Sequence, residues 1–199
     1  MKLMFNKSKK LIIIGVSLIV LSLGLFMNNI HEENVAGKKS NEVLKVIKNV
    51  VEKNMKVTYN SGINNDINTV MVDGYDYIGT IIIPSLNIEL PVMSTYDYDR
   101  LRIAPCRYYG SIYTDDLIIC AHSYKTHFKY LDKLEQKDLI IITDIYGVKY
   151  VYEVLEIELL SPNDVKEMID NEFDLTLYTC TSDGLSRITV RCNRVKEVV

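Results

Sequence analysis

The sequence lacks the compositional extremes that mark specialised classes of protein. With 48% apolar and 25% charged residues among 199, its composition excludes collagen-like and disordered chains. Its four cysteines are scattered, and so do not form the framework of a small disulfide-stapled domain. The length leaves room for one folded core with appendages, and the chain has no internal repeat or low-complexity tract.

A basic surface is also absent. The net charge is −3, and residues 1–30 carry four lysines and no acid, so residues 31–199 carry a net charge of −7. A protein that binds DNA or RNA usually presents a basic face that releases counterions from phosphate. We therefore expect no nucleic-acid partner.

What the sequence does have is one long apolar run near its start. The segment Leu11–Met27 is uncharged over 17 residues, which is near the short end of what spans a bilayer. A cleaved signal peptide is the alternative, but no small-residue cleavage site follows the run. A buried core helix would need a large domain around it. We predict an uncleaved transmembrane anchor over 11–30, with a cytoplasmic basic tip at 1–10 and the remainder outside.

Residues 31–72 are predicted to form an extracellular stalk. Ser40 can cap a helix in which apolar residues recur at spacings of three and four, and residues 60–66 are rich in turn formers. The members of the apolar stripe are Leu44, Ile47, Val51 and Met55.

From residue 73 onward, short β-branched and aromatic runs alternate with turns, which predicts a mostly antiparallel barrel or sandwich. The predicted strands are Tyr77–Ile83, Leu86–Val92, Leu117–Ala121, Leu139–Thr143, Lys149–Leu159, Leu175–Cys180 and Arg187–Val195. Short helices are predicted near Tyr98–Ile103, Phe128–Leu134 and Asn163–Ile169.

Two strand ends carry residue types suited to acyl-transfer chemistry. His122 follows an apolar strand, where it is either structural or a general base. Cys180 ends another strand, and Arg187 begins the next one across a hairpin. A thiol beside a cation can ionise and attack a carbonyl, although periodicity alone favours a buried, inert cysteine.

The motifs around these residues resemble those of sortases, the membrane-anchored cysteine transpeptidases of Gram-positive bacteria. Thr176-Leu177-Tyr178-Thr179-Cys180 followed by Arg187 resembles the family's T-L-x-T-C…R signature. The segment 118–123 resembles its histidine strand, and 79–86 resembles its opening strand with an I-P-x-L turn. The resemblance covers residues 75–195, keeps the order His, Cys, Arg, and is joined by the predicted anchor.

The resemblance implies a mostly β fold: an eight-stranded sortase-type barrel with short helices over 73–199, preceded by one transmembrane helix and a helical stalk. It implies that Cys180 is the nucleophile, that His122 transfers protons, and that Arg187 holds the substrate backbone and the developing oxyanion. The implied partners are secreted proteins with a C-terminal sorting motif and an amine of cell-wall peptide or its lipid-linked precursor. We expect no cofactor and no metal.

Rival residues remain for two of these roles. Arg191 and Arg194 share the last strand with Arg187, and period-two alternation places Arg187 and Arg191 on one face. The family pattern favours Arg187. The rival base is His127, for which we expect a surface or loop-ordering role.

A zinc site is a second interpretation of the thiols, because Cys120, His122, Cys180 and Cys192 are all possible ligands. The paired spacings of structural zinc sites are absent, which disfavours it.

Subtype and activity leave further alternatives. The chain has no D-P-W or D-P-F lid element before Gly79, which weakens a pilin-polymerase assignment, while 104–110 and 114–116 look similar to class B-like sortases. The alternatives to a transpeptidase are a non-catalytic, membrane-tethered β-barrel that binds extracellular peptide or wall polymer, and a thiol hydrolase that passes the same thioacyl intermediate to water.

Overall fold

The computed structural model describes residues 2–55, 68–170 and 172–195. The turn-rich segment predicted at 60–66 lies outside the described residues. The strands are β1 (Val70–Val72), β2 (Tyr75–Ile83), β3 (Ile88–Met93), β4 (Cys106–Tyr109), β5 (Leu117–Cys120), β6 (Leu139–Asp144), β7 (Lys149–Leu160), β8 (Leu175–Cys180) and β9 (Arg187–Arg194). The α-helices are α1 (Lys2–Met55), α2 (Tyr98–Leu101) and α3 (Val165–Ile169), and 3-10 turns lie at Pro84–Leu86 and Leu131–Lys133.

Helix α1 runs without a break from the apolar segment to the folded domain. Of the helices in the described ranges, it alone is long and apolar enough to cross a membrane, and its apolar part is not covered by the rest of the chain. Leu11 and Met27, the ends of that part, are 68% and 69% exposed. This agrees with the expected N-terminal membrane helix.

The stalk helix does not begin at Ser40, so that expectation is wrong. Ser40 lies inside α1 and is buried, as are Ala36 and Ile47 on the same face. No proline interrupts residues 28–40, and packing of this face on the domain favours helix over the local capping preference of serine. The predicted apolar stripe does pack on the domain, through Leu44, Ile47 and Val51 among others.

Eight strands close into a barrel, as expected. Their order is β2-β3-β4-β5-β8-β9-β7-β6, and pairing between β2 and β6 closes the ring, while β1 adds a ninth strand at the edge of β2. Two pairings in the ring, β3 with β4 and β5 with β8, are parallel, and the others are antiparallel. The barrel is therefore mixed, although mostly antiparallel.

Strand alternation separates two apolar clusters. Side chains such as Ile81, Leu117, Leu177 and Val190 fill the barrel interior. The opposite faces of the same strands form a second, outer cluster, which includes Ile118, Cys120 and Tyr178. Helix α1 packs on it through Val43, Ile47 and Val51. Because residues i and i+2 share a face, Cys180 lies on the outer face with Tyr178.

Barrel closure depends on a glycine in β2. Gly79 pairs with Val92 of β3 and Asp144 of β6, directly after an irregularity between Tyr77 and Gly79. Its φ is +144°, and a Cβ at this position would lie 1.9 Å from the carbonyl oxygen of Thr143. A side chain here would push β2 away from β6.

We expect Gly79→Ala to lower the free energy of unfolding by about 3 kcal/mol or more, because it combines backbone strain with overpacking. Gly74→Ala is the matched control: φ is +81° but nothing lies within 4 Å of the added carbon. It should lose about 1 kcal/mol from strain alone. Urea unfolding of the full chain in mild detergent, followed by tyrosine fluorescence, measures both. Equal losses would contradict the role of Gly79 in closure.

Candidate active site

The parallel pairing of β5 and β8 brings two of the predicted site residues to one end of the barrel. Cys120 is in register with Tyr178, and beyond it the Ala121 N–H donates to the Tyr178 carbonyl at 3.2 Å. The Thr179 hydroxyl donates to the Ala121 carbonyl at 2.8 Å. The next residues in this register are His122 and Cys180. They therefore leave adjacent strands, about 4.8 Å apart, at the same level.

The third predicted residue joins them through the next strand. Arg187 is the antiparallel partner of Cys180 at the start of β9. Its guanidinium lies over the ring of Tyr178 with 5.3 Å between the central carbon and the ring centroid. One of its terminal nitrogens is buried and has no hydrogen-bond partner among the described residues. A cation so held has a donor left for a ligand.

The other two arginines of β9 are engaged elsewhere. Arg191 is 2% exposed and donates to Glu158 at 2.7 Å, with further bonds to Thr176 and to the backbone of Glu167. It anchors α3 to the sheet.

Arg194 turns inward instead. It pairs with Asp115 at 2.7 Å, donates to the Tyr152 hydroxyl at 3.2 Å, and also donates to the carbonyl of Ile112. Both arginines are therefore structural, which leaves Arg187 as the arginine beside Cys180.

The four thiols differ sharply in accessibility. Cys180 is exposed, whereas Cys106, Cys120 and Cys192 are buried. Burial raises the pKa of Cys106 to about 12, and it raises the pKa of Cys120 and of Cys192 well above the ordinary range. The structure therefore presents one accessible thiol, at the end of β8.

The thiols and His122 do not converge on a common point. Cys192 belongs to the interior cluster, while Cys120 lies in the outer cluster on the other side of the sheet. Within the described ranges, no three His, Cys, Asp or Glu side chains are grouped to hold a metal ion. The zinc interpretation has no support in this geometry.

His122 is held in an aromatic slot. Its ring meets Tyr98 edge-on, with centroids 5.4 Å apart, and lies tilted against Tyr124 at 4.8 Å. Burial lowers its pKa, the nearby charge of Arg102 lowers it further, and Glu32 of α1 partly opposes both. The uncharged imidazole is thus favoured, and its Nε2 is buried without a hydrogen-bond partner in the described chain.

The sequence comparison settles the family. A family model for the sortase domain matches residues 81–195, more than half of the chain. The chain belongs to the sortase family. The matched region contains His122, Cys180 and Arg187. No curated protein matches the chain.

Solved sortase structures share the fold. Sortase C1 from Streptococcus agalactiae is 25% identical with a TM-score of 0.56, covering 77% of this chain and 90% of that one. Sortase A from Corynebacterium diphtheriae is 23% identical with a TM-score of 0.55, covering 83% and 93%. Clostridium perfringens sortase C, solved with the C-terminal cell wall sorting motif, is 22% identical with a TM-score of 0.55, covering 78% and 91%.

In this sortase the rival base is buried. His127 is fully buried, so of the two expected roles the surface role is wrong, while the loop-ordering role stays a prediction. Neither ring nitrogen has a hydrogen-bond partner among the described residues. Burial and the neighbouring His122 lower its pKa to about 4. Its ring packs against Tyr124, with centroids 5.5 Å apart. A fully buried ring is closed to substrate, which leaves His122 as the candidate base.

Sequence reasoning missed the groups that surround His122. Tyr98 comes from α2, Arg102 follows it, and Glu32 comes from the long helix, so only the tertiary fold brings them together. Tyr124 carried a local signal, because it follows the histidine by two residues in the same loop.

We expect Arg102→Gln to raise the pKa of His122, because it removes a cation that disfavours the imidazolium. Glu32→Gln should lower the pKa, because it removes the opposing carboxylate. Both side chains are exposed, so raising the salt concentration should shrink both shifts. NMR titration of the full chain with labelled histidine in detergent measures all three effects. Shifts of the same sign in the two variants would contradict this assignment.

Proposed function

We propose that this sortase is a single-pass membrane protein with a cytoplasmic N-terminus, residues 31–72 as an extracellular stalk and an extracellular catalytic domain over 73–199. We propose that it cleaves a C-terminal sorting signal of secreted proteins and transfers the acyl group to an amine of cell-wall peptide or its lipid-linked precursor. The observation that carries the proposal is the position of the exposed Cys180 between His122 and Arg187 at one end of the barrel.

In the first half-reaction, Cys180 Sγ attacks the carbonyl carbon of the scissile peptide bond while its proton passes to His122. A C–S bond forms, and the oxygen of the tetrahedral intermediate takes up negative charge. Collapse breaks the C–N bond, and the imidazolium gives its proton to the leaving amine. A thioacyl enzyme remains.

In the second half-reaction an incoming amine attacks the thioester carbonyl. His122 accepts the amine's proton, the new C–N bond forms and the C–S bond breaks. The proton then returns to the Cys180 sulfur. The lowered pKa of His122 suits this step, because a neutral imidazole is the form that accepts a proton.

Arg187 is assigned to the oxyanion. It stays protonated and so cannot act as a base, but a fixed cation stabilises charge that develops in the transition state. Its stacking on Tyr178 limits its movement, and the terminal nitrogen that has no partner among the described residues leaves a donor for the substrate.

The full chain in detergent, mixed with a panel of sorting-motif peptides and a small primary amine, tests the reaction by mass spectrometry. We expect a thioacyl adduct on Cys180 that resolves to an amide when the amine is present. Cys180→Ala should abolish the adduct, while Cys106→Ala, which also removes one thiol, should keep it. An adduct that passes to water regardless of amine would indicate the thiol hydrolase. Peptide binding that survives in Cys180→Ala without any adduct would indicate a binding barrel.

Two arginine substitutions separate catalysis from stability. Arg187→Ala should lower kcat/KM by about 10²-fold, as for loss of one oxyanion donor, with little change in unfolding midpoint. Arg191→Ala should instead cost about 3 kcal/mol of stability, because it removes a buried guanidinium and leaves the half-exposed Glu158 carboxylate and the buried Thr176 hydroxyl without this partner. Peptide kinetics and urea unfolding measure the two effects. A stable Arg187→Ala with full activity would remove Arg187 from the mechanism.

A further inference from the structure

The chain between the apolar segment and the domain is short and helical. The apolar segment of α1 ends at Met27, and α1 continues without interruption to residue 55. Glu33 is already in contact with the domain, because its carboxylate accepts a hydrogen bond from the Lys125 N–H. One turn later, Gly37 lies against Thr126, where an added Cβ would meet the Thr126 methyl at 2.8 Å.

These first contacts fall on the loop that carries the proposed proton-transfer group. Lys125 and Thr126 lie three and four residues after His122, and His122 leaves β5 beside Cys180. The end of the barrel that holds the site is therefore the end that α1 meets first. Glu32 supports the same placement, since its charge acts on His122.

The opposite end of the barrel contacts the far end of the same helix. The Asn54 side-chain amide donates to the Ile145 carbonyl at 2.8 Å, in the turn between β6 and β7. Lys149 begins β7 beside this turn, whereas Leu160 ends β7 as the register partner of Arg187. The turn and the site thus lie at opposite ends of a long strand.

The rise of an α-helix gives the distance of each of these contacts from the end of the apolar segment. Six residues separate Met27 from Glu33, which is about 9 Å along an α-helix. The interfacial layer of a bilayer leaflet is about 5–8 Å thick. From Glu33 to Asn54 the helix rises by about 32 Å. An upright α1 therefore places the Cys180 end of the barrel at the lipid headgroups and the Ile145 end far into the solvent.

We propose that α1 is a rigid spacer that fixes the height of the reaction, so that this sortase acts on peptide bonds held at the lipid headgroups, within about 10–20 Å of the hydrocarbon core. The inference rests on the proposed membrane anchoring and the proposed transpeptidase activity. It adds a limit on the distance between the scissile peptide bond and the membrane, which neither of those proposals includes.

The surface around the site suits a position beside headgroups. Tyr98, which meets His122, is 60% exposed, and Leu185 in the turn after Cys180 is 73% exposed. Tyrosine is enriched at the boundary between lipid and water, where its apolar ring and polar hydroxyl are both accommodated.

Energy transfer from a single labelled thiol tests the height without requiring activity. The full chain is reconstituted in vesicles of phosphatidylglycerol and phosphatidylethanolamine that contain a rhodamine lipid, and a membrane-impermeant maleimide dye is attached to Cys180, the exposed thiol. In the matched control, Cys180→Ser with Lys149→Cys moves the dye to the far end. We expect transfer to be at least about twofold stronger from position 180, given a height difference of about 30 Å. Equal transfer, or stronger transfer from position 149, would overturn the placement.

An insertion in α1 tests the consequence for the reaction. Seven helix-forming polar residues after Ile30, where the proposed anchor ends, raise the domain by about 10 Å and rotate it by only about 20°. The variant should process a free peptide at the wild-type rate. On a peptide tethered to lipid by the shortest spacer that the wild type accepts, its rate of cleavage should fall at least about tenfold. The rate should recover when the spacer is lengthened by about three extended residues.

The two proposals fail in different ways. If neither the wild type nor the insertion variant turns over any free peptide, the transpeptidase proposal fails, while the energy-transfer result still decides the height of the site. If both process free peptide and share one optimal spacer length, the transpeptidase proposal holds and the distance limit is wrong.

Discussion

The parallel pairing of β5 with β8 is the constraint on which the site depends. These strands are far apart in sequence, yet their register places the chain after Cys120 beside the chain after Tyr178, and the Thr179 hydroxyl fixes that register by its bond to Ala121. Since side chains alternate between faces, Thr179 points into the barrel and Cys180 points out. A shift of one residue in the register of β8 would turn Cys180 into the barrel interior and bury it. The hydrogen bond of Thr179 inside the barrel therefore keeps the Cys180 thiol on the outer face.

Much of the fold was predictable because strand periodicity is local. The seven predicted strands all exist, with ends displaced by at most two residues, as where Leu86 forms a 3-10 turn before β3. The four residues of β4 and the three of β1 were missed, because segments so short carry no period and exist only through their neighbours. The helix start predicted at Ser40 was wrong because the capping preference of serine is a local signal. The packing on the domain that keeps α1 continuous through Ser40 is a tertiary effect that the local sequence does not show.

The candidate site likewise has a part that the sequence predicts and a part that only the tertiary structure shows. The residues His122, Cys180 and Arg187 were identified from motifs, and the fold places all three at one barrel end. The choice among the arginines of β9 needed tertiary contacts, because periodicity assigns Arg187 and Arg191 to one face without saying which is paired. Glu158 and Thr176 accept hydrogen bonds from Arg191, whereas Arg187 stacks on the ring of Tyr178 and has a donor that no described residue uses.

Burial also decides which thiol can react. A thiolate is the reactive form, and a thiol with a pKa of about 12, as at Cys106, is ionised in only about one molecule in 10⁵ at pH 7. Cys106 and Cys120 are register partners on β4 and β5 and belong, like Tyr178, to the outer cluster. Desolvation keeps this pair protonated while Cys180, two residues beyond Tyr178, meets solvent. The same sheet face therefore holds two inert thiols, which the outer cluster buries, and one accessible thiol at the end of β8, which the cluster leaves exposed.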